Sequence, residues 1–322
     1  MRVSGNAADI DLSVIVVNYN TQHLLQEMMA SLQHAAEGLS LQVIVIDNAS
    51  RDGSADYIRA TWPDLELIAN ASNVGFGRAN NQALPLLRGR NVLLLNTDAF
   101  VAPASLRIAL ANLDAHPDCG ILGARLIGRD GCVQPSCRYF PTLWNILLDR
   151  TGLNRLFPGV QLVDDDDWND REPAECDWVP GAFLLVRRAV IDQVGLFDPR
   201  YFLYYEEVDF CRAAKSAGWK VLYCPDISVV HIGGESAKSA GALTQSGRQL
   251  SALQIESELL YFRKHYGLAG VVAFLLFGFV GDALQAVKRL FRPKKNSGRA
   301  FSMTALACRL FARTRLGVQP TR

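Results

Sequence analysis

The stretch NVLLLNTDAF, residues 91–100, decides how this chain is read. Val92 to Leu95 form an apolar run with no polar interruption, the pattern of a strand buried on both faces. The run stops abruptly at Asn96, Thr97 and Asp98. A carboxylate delivered at the tip of a buried strand either caps the next turn or holds something positively charged.

The same pattern recurs upstream. LSVIVVNYN (12–20), LQVIVIDNAS (41–50) and LELIAN (65–70) read as strands, the first two ending in polar tips. Between them, TQHLLQEMMASLQHA (21–35) places apolar residues at 24, 25, 28, 29 and 32, a helical spacing, with Thr21 as candidate N-cap. DGSADYIRATW (52–62), GRANNQALPLL (77–87, interrupted near Pro85) and PASLRIALANLDAH (103–116) read as further helices. This alternation predicts a Rossmann-like, mostly parallel central sheet flanked by helices. The polar clusters Asn18–Asn20, Asp47–Ser50, Asn73–Arg78 and Asn96–Asp98 then share one crevice at the carboxyl ends of the strands, where open α/β sheets bind ligands.

The second half has a different texture. GCVQPSCRYFPT (131–142) reads as strand and loop, and the acidic stretch 164–177 as a mobile loop. Residues 176–198 read as strand then helix, and 204–226 as a helix, with Gly218 near its end, followed by a strand. VVHIGGES (229–236) is a strand tip with paired glycines. We expect one domain over 1–240, with halves near 12–125 and 126–240. A helical, basic region over 241–322 follows.

In that tail the apolar stretch Gly267–Gly281 is shorter than the about 20 residues a spanning helix needs. After Asp282 there is no acid, while ten Lys and Arg residues follow. A helix lying in a membrane interface beside basic residues fits this pattern; a core helix packed on the sheet is the alternative. Net charge is +1, which gives no global basic field for nucleic acid. Seven cysteines without a CxxC pair read as reduced thiols of a cytosolic compartment, and the N-terminus lacks an apolar signal region.

Several residues carry candidate chemistry. Asp98 suits a hard divalent cation that recruits phosphate oxygens, or serves a turn. Asp47 accepts hydrogen bonds from a base or ribose, or closes an Asx-turn. Gly75 and Gly77 let backbone approach a ligand, with Arg78 near enough to touch phosphate. Glu206, Glu207 and Asp209 stand at a helix start, where the dipole alone explains acids. Beside the aromatic FLYY (202–205), a carboxyl acquires the raised proton affinity of a general base. His231 is either structural or completes a metal shell begun by Asp98.

Taken in order, SVIVVNYN, VIVIDNASRDGS, NVGFGRANN, LLLNTDAF, WVPGAFLLVRR, GLFDPRYFLYYEEVDFCRAAKSAGW and VVHIGGES resemble the family 2 glycosyltransferases of GT-A fold, over about residues 12–236. The nearest likeness is to bacterial rhamnosyltransferases of surface polysaccharide synthesis. The resemblance implies that Asp98 is the metal-holding acid of a DxD-type motif, here Asn96-Thr97-Asp98 and so lacking its first acid, with His231 the more important for it. It implies nucleotide contacts from Asn18, Tyr19, Asp47, Asn73, Gly77, Arg78 and Asn96, Asp47 reading the base. Trp178, Gly181 and Ala182 line the sugar and acceptor pocket. Glu207 is the implied catalytic base, with Glu206 and Asp209 as supporting acids. The implied reaction is inverting transfer, assisted by Mg²⁺ or Mn²⁺, from dTDP-L-rhamnose or a UDP-sugar to a lipid-linked glycan. The implied location is the cytoplasmic face of the inner membrane, with a homodimer left open. The rival from another class is an inactive carbohydrate-binding scaffold of the same pathway.

Overall fold

The computed structural model describes residues 10–157, 160, 172–233, 252–291 and 301–322. Most of the acidic stretch 164–177, the glycine-serine end of VVHIGGES and the basic run 292–300 lie outside the described residues. The chain divides into two compact units. One comprises Met1–Arg138, Val163–Pro199 and Glu206–Gly241; the other comprises Tyr139–Leu162, Arg200–Tyr205 and Ala242–Arg322.

The first unit is built on the expected alternation: β1 (Leu12–Asn18), α1 (Gln22–Ala35), β2 (Leu41–Asp47), α2 (Ser54–Thr61), β3 (Glu66–Ala69), α3 (Phe76–Asn81) and β4 (Asn91–Asn96). β1 pairs in parallel with both β2 and β4, and β2 with β3. Leu24, Leu25, Met28, Met29 and Leu32 of α1 are all buried, as their spacing predicts. Pro85 falls in a short 3-10 turn, Leu84–Leu86, beyond the end of α3. Thr21 is the N-cap residue of α1, as expected, but its side chain makes no capping hydrogen bond. Its hydroxyl donates to Asn18 Oδ1 and meets Thr97 Oγ1, each at 2.8 Å, so it ties two strand tips instead.

Further along come β5 (Ala99–Val101), α4 (Ser105–Ala115), β6 (Cys119–Ile127), β7 (Val133–Gln134), β8 (Ala174–Cys176), β9 (Phe183–Arg187), α6 (Arg188–Val194), α7 (Glu206–Ser216) and β10 (Lys220–His231). The sheet order is β3-β2-β1-β4-β9-β6-β10-β5, with β7 on β6 and β8 on β10. β9 runs antiparallel between β4 and β6, and β10 pairs in parallel with β6 and antiparallel with β5. The sheet is therefore mixed and mostly parallel, as expected. β5, β6 and β8 were not foreseen from the sequence, and β8 falls within the stretch 164–177 expected as a loop.

The buried Ser13 hydroxyl finds its partners inside this core. Ser13 Oγ donates to Gln42 Oε1 at 2.6 Å and accepts from Gly89 N at 2.8 Å. Gly89 permits that approach, since a Cβ there would lie 2.4 Å from the Ser13 backbone nitrogen.

The second unit is helical. α5 (Leu143–Thr151) begins with a capping box between Thr142 and Asn145. α8 (Ala252–Phe291) is broken at Gly267, whose φ of 67° leaves the helical region. α9 (Ser302–Arg313) follows. The aromatic run before α7 has its explanation here. Tyr205 packs on Tyr261 of α8 with ring centroids 5.2 Å apart, and Ser257 of α8 donates to Leu203 O at 2.9 Å. Arg322 lies over the Phe202 ring at 5.2 Å. Tyr204 and Tyr205 both have positive φ, 71° and 72°, a strained conformation held by this packing.

Candidate active site

Register brings the strand tips together. Asn18 pairs with Asp47 across β1 and β2, and Val17 pairs with Asn96 across β1 and β4. Asp47 is buried; its Oδ1 accepts from Asn18 Nδ2 at 2.8 Å and its Oδ2 from Ser50 N at 3.0 Å. The second bond reaches the amide three residues on, one beyond the Asx-turn weighed from the sequence, and closes the loop that follows β2. Tyr19, one residue past β1, is partly exposed. Buried Asn48 organises the glycine loop: its Oδ1 accepts from Val74 N at 3.0 Å and its Nδ2 donates to Asn73 Oδ1 at 2.9 Å. Gly75 supplies the loop's left-handed φ of 92°, and Gly77 is buried just inside α3. Arg78 Nε donates to Pro199 O at 2.7 Å, and Asn81 Nδ2 to Phe197 O at 2.7 Å. These bonds tie the loop to the segment preceding the acids.

Asp98 sits in the turn between β4 and β5, 6% exposed. His231, at the end of β10, pairs with Ala99 of β5, so strand register carries it beside Asp98 from 133 positions away in sequence. The gap from His231 Nε2 to Asp98 Oδ1 is 3.6 Å. On its other side, His231 Nδ1 meets Gln134 Oε1 at 2.8 Å, while Gln134 Nε2 donates to His231 O at 2.9 Å. An amide oxygen only accepts, so Nδ1 carries the proton and Nε2 presents its lone pair to Asp98. Burial pushes the His231 pKa down; the Asp98 charge opposes this and the Arg138 charge reinforces it. A neutral imidazole and a carboxylate thus face each other, acceptor to acceptor. That arrangement fits a divalent cation taking mixed nitrogen and oxygen donors. Among the described residues no group of three or more His, Cys, Asp or Glu side chains forms a metal cluster. The pair therefore suits a cation whose shell is completed by ligand oxygens and water.

α7 supplies the acids at its first turn. Glu206 and Asp209 are buried, while Glu207 keeps partial exposure with its Oε2 shut away from water and making no hydrogen bond. Burial pushes the Glu207 pKa up, against the helix-start amide of Glu207 itself, the Arg138 charge and the amide of Val208. This is the environment of a general base.

Arg138 was not singled out from the sequence. Its guanidinium lies over the Trp178 ring at 5.0 Å, and its Nη2 donates to Pro135 O at 2.9 Å. Its backbone exchanges hydrogen bonds with Trp178 at 3.2 Å in each direction. Its charge acts on both Glu207 and His231. Asn96 N donates to Ala182 O at 3.1 Å, which brings those two predicted residues together. The nearest atom to a Cβ built on Gly181 is Phe76 Cε1, at 3.9 Å. Gln134 was equally unforeseen; a two-residue strand leaves no periodic signal.

A sequence model of glycosyl transferase family 2 matches residues 13–173. The N-acetylglucosaminyl-diphospho-decaprenol L-rhamnosyltransferase of Mycobacterium tuberculosis is 31% identical over 233 residues, spanning 68% of this chain and 75% of that protein. The rhamnosyltransferase WbbL of Escherichia coli is 24% identical over 230 residues, spanning 68% of this chain and 82% of that one. Among solved structures, the mannosyltransferase PcManGT of Pyrobaculum calidifontis, in complex with GDP-Man and Mn²⁺, superposes with a TM-score of 0.56. It is 18% identical, with 99% of this chain and 86% of that chain covered, a likeness of fold alone. With its mixed, mostly parallel sheet, its ordered motifs and these relatives, the chain belongs to glycosyl transferase family 2 and has the GT-A fold.

Proposed function

We propose that the protein is an inverting glycosyltransferase. It moves L-rhamnose from a nucleoside diphosphate, dTDP before UDP, to a hydroxyl of a lipid-linked glycan in cell-envelope polysaccharide synthesis, at the cytoplasmic face of the inner membrane. The choice of sugar and acceptor follows the names of the two rhamnosyltransferase relatives. The observation that carries the chemistry is the facing pair Asp98 and His231, whose imidazole tautomer is fixed by Gln134.

Glu207 takes the proton from the acceptor hydroxyl. The oxygen attacks the anomeric carbon from the face opposite the diphosphate, and the nucleoside diphosphate departs with the bonding electrons. One displacement suffices, so no glycosyl-enzyme intermediate forms. Asp98 and His231 would hold Mg²⁺ or Mn²⁺, which when bound would supply positive charge to the departing diphosphate. Trp178 and Arg138 form an apolar and cationic wall beside the base, and the tips of β1, β2 and β4 with the Asn73–Gly77 loop receive the nucleotide.

The test is a thermal-shift and turnover panel of dTDP, UDP and their sugars, with and without Mn²⁺. The expected result is a metal-dependent rise in melting temperature that Asp98→Ala abolishes, because a specific ligand stabilises the folded state by mass action. Transfer to a polyprenyl-diphosphate N-acetylglucosamine acceptor should accompany release of nucleoside diphosphate. An inactive scaffold releases none under any metal condition, and that outcome would overturn the proposal.

A further inference from the structure

The C-terminal half of α8, from Leu268 to Val287, is 20 residues long and overwhelmingly apolar. At 1.5 Å per residue it measures about 30 Å, the thickness of a bilayer core, so length alone admits a spanning helix. The distribution of exposure decides otherwise. Leu268, Val272, Leu276, Phe279, Leu284 and Val287 are all exposed and recur at intervals of three to five residues, which sets them on one face. The opposite face belongs to a folded interior. Val271 and Phe274 are buried there, and a Cβ on Gly281 would lie 2.8 Å from the Arg150 carbonyl oxygen of the α5 helix. Asp282 accepts from the Thr304 hydroxyl at 2.7 Å, tying α8 to α9. A cavity behind this face is lined by Arg150, Glu258, Asp282 and Thr304 as well as apolar groups. Lipid on all sides would strip these polar contacts, each costly to leave unmade in hydrocarbon. Among the described residues this face is also too exposed for a helix enclosed in a core.

We propose that this helix lies flat in the headgroup–acyl boundary of an anionic bilayer, inserting the Leu268–Val287 face and leaving its opposite face in the protein. Charge complementarity selects lipid as the occupant. Ten Lys and Arg residues follow Asp282 with no acid among them, beginning with Lys288 and Arg289 at the end of the helix. The segment beside that end adds apolar surface. A Cβ on Gly152 would lie 3.8 Å from Lys288 Nζ, and Leu153, Leu156 and Phe157, which follow, are exposed. This assignment deepens the proposed function by giving the enzyme a surface for a lipid-borne acceptor. It rests on that reading only for the choice of a cell membrane as the biological surface.

The experiment is flotation of the full chain with phosphatidylcholine vesicles, with and without 30% phosphatidylglycerol, in the absence of any sugar nucleotide. The double variant Leu276→Glu/Phe279→Glu is compared with Ala60→Glu, an exposed change on α2. The wild type should float with the anionic vesicles and more weakly with the neutral ones. The double variant should lose about tenfold or more in apparent affinity, since two side chains 58% and 52% exposed no longer enter the apolar boundary. Its thermal midpoint and nucleotide-induced shift should match those of Ala60→Glu. Wild type that stays in solution with both vesicle types overturns the assignment, as does a double variant that floats unchanged. Resistance to alkaline carbonate extraction from cells would mean a spanning helix. A wild-type dimer that the double variant dissolves would mean that the face belongs to a second copy. Either outcome also overturns it, while the nucleotide panel, run without membranes, tests the transferase reading separately.

Discussion

Replacing Gln134 with Leu tests the metal reading without touching either presumed ligand. The side chain makes two bonds to His231, Oε1 with Nδ1 at 2.8 Å and Nε2 with the backbone oxygen at 2.9 Å. With both gone, nothing holds the imidazole proton on Nδ1. It shifts to Nε2, where the Asp98 oxygen 3.6 Å away attracts it. The two donors then satisfy each other, and a cation must break that pairing before it binds. Loss of such an outer partner typically lowers metal affinity 10- to 100-fold, or about 1.4–2.7 kcal/mol. The assay is nucleoside diphosphate release against Mn²⁺ concentration. Half-saturating Mn²⁺ should rise by that factor, and the rate at saturating metal should return close to the wild-type value. Gln134→Glu, which keeps an oxygen facing Nδ1, should recover most of the affinity. Gln134→Leu with unchanged metal dependence, in a protein of normal thermal midpoint, would refute the tautomer argument and with it the assignment of His231.

Three further outcomes are expected. Glu207→Gln should retain the nucleotide-induced thermal shift and lose about 10²- to 10⁴-fold in kcat, the usual worth of a general base; retained turnover would move that role to another acid. Burial raises the Glu207 pKa while Arg138 pulls it back, so kcat/KM should fall as pH drops through that pKa. Arg138→Gln should move the midpoint of this acid limb upward, measured from the pH profile, whereas a purely structural arginine would lower the rate with no movement of the midpoint. Ser13→Ala should destabilise by about 1–3 kcal/mol in urea unfolding, because Gly89 N and the Gln42 amide oxygen lose a buried partner.

What could be read from the residues, and what could not, divides along one physical line. A strand buried on both faces must be apolar along its length, so the point where Val92–Leu95 gives way to Asn96 is visible without a structure, and so are the tips at Asn18 and Asp47. Chain order then puts consecutive parallel strands side by side, and their tips share an edge. The second half of the site depends on pairings that cross the sequence. β9 inserts antiparallel between β4 and β6, and β10 turns back along β5. The β10–β5 register brings His231 to Asp98, β7 lying on β6 next to β10 brings Gln134 to His231, and a lone bridge between Arg138 and Trp178 lays the guanidinium over the ring. Nothing in the composition of a two-residue strand such as Val133–Gln134 announces that its second side chain orients a histidine 97 positions later. The aromatic run before Glu206 shows the intermediate case. Its surplus of rings is evident from the sequence alone, but the partners that hold it, Ser257 and Tyr261 on α8 and Arg322 beyond the end of α9, lie far along the chain. The C-terminal region therefore does more than present the surface proposed for lipid: its first helical half packs on the 202–205 loop. That half and Arg322 grip the loop that leads directly into the acids, so truncating the chain after residue 240 should impair catalysis in detergent solution as well as at a membrane. A soluble, fully active truncation would mean that the strained Tyr204–Tyr205 turn holds itself, contrary to the packing that surrounds it.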